Sequence, residues 1–130
     1  MTIGLYILLY IALMGVNIGI AAINVGVVAD RIKVGDTRQI NHFIWGLIYL
    51  APCAPLYFIN HWLFYSVIPL HLSIFPVSYN LFRELPPFNL SKTSKALTDR
   101  FMVKIGLKST ETVNLAAQLL SFFLLYKAIR

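Results

Sequence analysis

Long stretches of this sequence have no charge at all. Thr2 to Ala29 carries no Asp, Glu, Lys or Arg, and neither does Phe43 to Phe82, a run of about 40 positions. Cysteine is nearly missing. Cys53 is the sole example, so an internal disulfide is excluded and the chain gives no redox-compartment signal. Cys53 lies in an apolar block between Pro52 and Pro55, where it reads as a small buried hydrophobe. No His-x-x-x-His pair and no cysteine pair occurs, so no metal site is expected. No cofactor motif is present either.

What fills the uncharged blocks is apolar. The 130 residues are 58% hydrophobic, against about 45–50% in a soluble domain, and the mean hydropathy is +0.73. The formal net charge is +6. In a soluble chain such a charge would suggest nucleic acid. Here the cations lie between apolar blocks, where they fit the positive-inside rule and contact with anionic headgroups, so no nucleic-acid partner is expected. The chain reads as all-α, an integral membrane helical bundle forming a single transmembrane domain over 1–130. It should have about four transmembrane helices and a short interfacial amphipathic helix.

The first span, about 2–29, is ample to cross a hydrocarbon core of about 30 Å at about 1.5 Å per residue. Val27 and Ala29 would suit a signal-peptide cleavage site. The block is too long for such a segment and no cation precedes it, so a retained helix is expected. Gly15, Gly19, Ala22 and Gly26 share one face of it, and Asn17 and Asn24 share the other. Small residues let a second backbone approach closely, and asparagines hydrogen-bond across helix interfaces, so both faces are candidate packing surfaces.

The charge-free run 43–82 would be about 60 Å long as one helix. A hairpin is expected instead, with helices of about 43–59 and 62–82 turning at Asn60-His61, the most polar spot near its middle. Pro52, Pro55, Pro69 and Pro76 each remove a backbone donor and tend to kink the arms. Pro86-Pro87 stops any helix entering the next segment. From about 92–105, Leu97, Phe101 and Ile105 form a stripe among Lys95, Arg100 and Lys104, which fits a helix lying in the membrane interface. An ordinary connecting helix is the alternative. The last span, about 112–128, has an uncharged stretch of about 22 Å, which spans only if its ends snorkel or the bilayer thins. Lying flat is the alternative. Its polar stripe, Asn114, Gln118 and Ser121, should face protein, with Asn17 and Asn24 as expected partners.

Four crossings place Arg31, Lys33, Arg38, Arg83, Lys92, Lys95, Arg100, Lys104 and Lys108 on one side and Lys127 and Arg130 on the other. The basic loops should therefore be cytoplasmic and both termini outside, in a bacterial inner (plasma) membrane. Lys92, Lys95, Arg100, Lys104 and Lys108 are the expected contacts to anionic lipid headgroups.

The candidate chemistry is sparse. His71, mid-span, fits a neutral histidine hydrogen-bonded to a neighbouring helix. Asp30, His42, Arg83 and Asp99 fall at one expected membrane depth. If they converge, they could bind or process a phosphate-bearing substrate; the alternative is an ion-pair network that positions loops. A small multidrug transporter would need a carboxylate in the first helix, and a lipid kinase several acidic groups for Mg²⁺. Glu111-Thr112-Val113-Asn114 has no second acidic group after it.

The stretch SYNLFRELPPFNLSKTSKALTDRF, residues 78–101, resembles a segment of small membrane proteins of Bacteroidetes-type bacteria and their phages, a group with no assigned activity. There an Asn-x-x-Arg ending a helix precedes an aromatic loop and a basic helix with Ser and Asp, which Asn80, Arg83 and Asp99 match. The resemblance covers about a fifth of the chain, and a phage origin would imply a holin-like or host-membrane role. Two readings follow. One is a non-enzymatic membrane protein, self-associating or partner-binding through the Gly and Asn stripes and possible as a pore-former. The other is a small membrane enzyme or headgroup-binding protein using the Asp/His/Arg set.

Overall fold

A computed structural model of the chain describes residues 2–35, 42–92 and 97–130, the side chains of 42, 43, 97 and 98 excepted. Those residues form helices and connecting turns without a strand: α1 (Ile3–Lys33), α2 (His42–Cys53), α3 (Pro55–Ile59), α4 (His61–Phe82), α5 (Leu97–Lys104) and α6 (Glu111–Ile129). The all-α bundle read from the sequence is what the chain forms. Three helices, α1, α4 and α6, are long and apolar enough to cross a membrane. In lipid every backbone N–H and C=O must find its partner inside the segment, which leaves a helix as the form open to such runs.

The surface is inverted relative to a soluble protein. Outward-facing side chains include Ile7, Leu8, Ile11, Val16, Ile23, Phe58, Leu119 and Phe123. Buried side chains include Asn17, Asn24, Ser66, Ser73, Asn114 and Ser121. A contiguous apolar surface of that extent is a liability in water and the natural state in lipid, where polar groups gather between helices. With the three long apolar helices, this surface fits a membrane location.

α4 is the hub. It packs on α1 and on α6, and α2 and α3 lie against it as well. α1 runs parallel to α4: Tyr6 meets Asn60, Asn17 meets His71, and the last turns of α1 meet Arg83. α6 runs antiparallel to α4, since Gln118 meets Ser73, Ser121 meets Ser66, and Ala128 meets Asn60. The seam of α1 is Tyr6, Tyr10, Leu13, Asn17, Ala21 and Asn24, spaced four, three, four, four and three, the pattern of a packed helix face. Two apolar clusters fill the centre. One gathers Tyr10, Leu13, Tyr49, Cys53, Val67 and Leu70, the other Tyr6, Leu63 and Ala128.

Proline breaks the second arm. Pro52 lies inside α2 and Pro55 opens α3, so the expected helix 43–59 is two helices joined at Ala54. There the Ala54 N–H donates to the Ala51 carbonyl in a tighter turn. Pro55 has no N–H to donate back to that carbonyl, and its ring crowds it. α4 by contrast continues through Pro69 and Pro76, braced by helices on both sides.

Asn60 joins the ends. Its side-chain carbonyl accepts from the N–H groups of Trp62 and Leu63, capping α4. Its amide donates to the Tyr6 hydroxyl at 3.0 Å and the Ala128 carbonyl at 2.9 Å. The start of α1, the α3–α4 turn and the end of α6 therefore meet at one end of the bundle. Tyr57, His61, Trp62 and Tyr65 form edge-to-face and tilted ring contacts there, the side-chain types that anchor a helix at a membrane–water interface.

At the opposite end α4 finishes in a Schellman turn. The Leu85 N–H donates to the Asn80 carbonyl and Glu84 N–H to Leu81, with Glu84 in the left-handed region at φ 57°. The following loop is pinned by the Asn80 amide, which donates to the Pro87 and Asn89 carbonyls. Thr110 N–H then bonds the Phe88 carbonyl and brings the chain to α6. α6, at 19 residues, spans about 28 Å. Between these, α5 packs on no other helix among the described residues. Its Phe101 and the adjoining Ile105 are exposed.

Candidate functional site

Beside the apolar clusters, polar and aromatic side chains meet inside the bundle in two arrays. In the first, Ser73 Oγ donates to Gln118 Oε1 at 2.7 Å and Gln118 Nε2 to the Tyr10 hydroxyl at 3.3 Å. Tyr10 and Ser121 hydroxyls are 2.6 Å apart, and Ser121 Oγ donates to the Ser66 carbonyl at 2.8 Å. Because the Ser121 proton goes to Ser66, Tyr10 is the donor to Ser121. The bonds point the same way, and such chains reinforce one another in a low-dielectric interior. The array stitches α1, α4 and α6 together.

The polar stripe of α6 thus faces protein as expected, but Gln118 and Ser121 meet Tyr10, Ser66 and Ser73, not Asn17 or Asn24. Asn114 bonds Thr110 on its own helix. The asparagines of α1 lie deeper along the seam, beyond the crossing with α6. Asn17 Nδ2 donates to the Leu13 carbonyl and Asn24 Nδ2 to Ile20.

In the second array Asn17 Oδ1 and His71 Nδ1 are 2.6 Å apart. A carbonyl oxygen only accepts, so Nδ1 carries the proton. The His71 ring stacks on Tyr49 at 4.8 Å and on Phe75 at 5.0 Å; Phe75 stacks on Tyr79, and the Arg83 guanidinium lies 5.3 Å over the Tyr79 ring. Positions 71, 75, 79 and 83 recur every four residues, so they stand one above another on α4. Gly46 of α2 faces the ladder, with His71 Nε2 at 3.7 Å from the point where a Cβ would lie. Among the described residues, the buried Asn24 Oδ1 lacks a hydrogen-bond partner.

The ladder ends at a groove of about 240 Å³ lined by Val25, Val28, Ala29, Ile32 and Arg83. Of the four residues expected to converge at this membrane depth, Arg83 reaches the groove and lies against the last turns of α1. Asp30 is paired to Lys33 at 3.1 Å, both side chains being more than 70% exposed; such a surface pair contributes about 0–1 kcal/mol. Asp99 is on α5, which packs on no other helix among the described residues. The His42 side chain lies outside the described residues. No hydrogen bond or ion pair joins Asp30, Arg83 and Asp99 to one another. Among the described residues no three His, Cys, Asp or Glu side chains are grouped to hold a metal ion. Asn80, paired with Arg83 in the sequence reading, is a loop anchor.

The glycine face of α1 points away from the bundle. Gly15, Gly19, Ala22 and Gly26 are exposed, and a Cβ added at any of the three glycines would meet open space. Lys92, Arg100, Lys104 and Lys108 are exposed; Lys95 lies outside the described residues. The parts that sequence reasoning missed are Tyr10, Tyr49, Ser66, Ser73 and the aliphatic groove wall. The Tyr6–Tyr10–Leu13–Asn17 spacing was a usable signal for Tyr10. Nothing in the sequence marks Val25, Val28 and Ile32 as a groove. A scan of protein-family models and searches of curated proteins and solved structures find no match to this chain.

Proposed function

We propose that this chain is a non-enzymatic, four-crossing protein of a bacterial plasma membrane that associates with copies of itself or another membrane protein through the outward face of α1. The observation that carries the reading is the division of labour on that helix. The asparagine face is used inside the bundle, with Asn17 bonded to His71, while Gly15, Gly19 and Gly26 face open space. Small residues on a lipid-exposed face let another helix approach to backbone contact, where packing and weak Cα–H···O contacts accumulate. The α2–α3 pair supplies the fourth crossing, at about 27 Å for residues 42–59. The basic loops are cytoplasmic and both termini outside. A holin-like or pore-forming assembly is one form of this function, and the phage-type resemblance of residues 78–101 suits it.

Gly19→Leu should reduce the oligomer fraction measured by energy transfer between labelled chains in vesicles, whereas Asp30→Ala should leave it unchanged. Equal transfer in wild type, Gly19→Leu and Gly15→Leu would end the association reading. A second reading, binding of lipid headgroups at the basic end, is favoured by the groove beside Arg83.

A further inference from the structure

The groove between the last turns of α1 and the end of α4 has four aliphatic or small walls, Val25, Val28, Ala29 and Ile32, and one cation, Arg83. No carboxylate pairs with that guanidinium among the described residues: Asp30, one residue from Ala29, is held by Lys33. An arginine stays charged at any relevant pH. Tyr79 supports one face of it at 5.3 Å, which fixes the fork and leaves its edge to bind. The groove lies where α1 ends in Arg31 and Lys33. A bare cation thus stands at the mouth of an apolar trough at the basic end of a membrane bundle.

We propose that this groove is a binding site for one anionic phospholipid, its phosphate on Arg83 and one acyl chain laid along Val25, Val28 and Ile32. The proposal rests on the membrane-embedded reading with this end at headgroup depth. The chemistry matches on both counts. A planar guanidinium takes a phosphate through two parallel N–H···O bonds, and basic pockets between spans are the usual form of a headgroup site. The trough, at about 240 Å³, is smaller than the roughly 300–1,000 Å³ of a drug-sized ligand site, and a single extended chain suits it. A free phosphate would gain nothing from the aliphatic walls, so the lipid is the occupant.

The test uses the full chain reconstituted in phosphatidylcholine–phosphatidylglycerol vesicles (about nine to one), extracted gently, with retained lipid counted by native mass spectrometry. Wild type should keep one phosphatidylglycerol per chain. Arg83→Gln should lower that retention about tenfold, the scale of one charge-assisted pair. Val28→Trp, which fills the trough and leaves the charge, should lower it similarly. Lys127→Gln and Arg130→Gln, exposed cations at the other end of the bundle, should keep it, and excess inorganic phosphate should not displace it. Equal retention in wild type, Arg83→Gln and Val28→Trp would overturn the proposal, as would displacement by phosphate. Alkaline washing of the vesicles separates the two failures. A chain that washes off defeats the membrane reading itself, whereas an embedded chain without selective retention defeats the groove alone.

Discussion

At Asn60 one carboxamide uses both of its amide hydrogens and both carbonyl lone pairs. Two of those bonds cap α4 and two tie it to α1 and α6. A lost cap costs about 1 kcal/mol, and a hydrogen bond between spans averages about 0.6 kcal/mol. Asn60→Ala is therefore expected to destabilise the bundle by about 2 kcal/mol in a reversible unfolding titration in mixed micelles. Asn60→Ser, which restores the cap, should recover about half. A loss below about 0.5 kcal/mol for the alanine variant would show that the junction carries little of the fold. Glu84 is the opposite case. It occupies a left-handed position, φ 57°, that glycine takes at no steric cost. Glu84→Gly should stabilise the end of α4 by about 0.5–1 kcal/mol in the same titration.

Between elements, hydrogen bonds supplement the apolar clusters. The Tyr10–Ser121 bond joins α1 to α6, and Ser121 in turn joins α6 to α4. A double-mutant cycle of Tyr10→Phe and Ser121→Ala should give a coupling energy between about 0.6 and 1.7 kcal/mol; additive effects would mean that the 2.6 Å contact contributes nothing to the assembly. α5 makes a different test. Phe101 and Ile105 are exposed, on a helix that packs on none of the others among the described residues. A helix with a free apolar side and flanking cations binds the membrane interface. A spin label at position 101, in a Cys53→Ala background, is expected to show oxygen accessibility of the headgroup–acyl boundary in vesicles, and a fully aqueous signal would return α5 to a plain connector.

For the molecule as a whole, the two ends differ in chemistry. One gathers tyrosine, tryptophan and the three-way Asn60 junction. At the other, α1 ends in Arg31 and Lys33 and α4 at Arg83 beside the groove. Nine of the eleven Lys and Arg lie in the last turn of α1, at the end of α4 or in the segments that follow them, and under the proposed topology the positive-inside rule would put that side in the cytoplasm. A reporter that is active only outside the cytoplasm should work when fused after Arg130, and one active only inside should stay dark. The reverse pattern would overturn the topology of four crossings with both termini outside.

The long apolar spans, the helical class and the turn at Asn60-His61 were legible in the amino-acid order alone, because uncharged length and a polar interruption are local properties of the chain. That order also settled which residues share a helix face, since 3.6 residues per turn fixes that before any partner arrives. It placed Asn17 and Asn24 on one face and the glycines on the other, and it saw the Asn114–Gln118–Ser121 stripe. Only the tertiary structure decided what each face meets. The stripe found Tyr10, Ser66 and Ser73, Asn17 found His71, and Arg83 came to lie against Val28 and Ile32. Those pairings depend on the order, tilt and depth at which α1, α4 and α6 cross. Several polar partners are chemically equivalent, so no spacing within one helix selects among them; the packing of the three helices does.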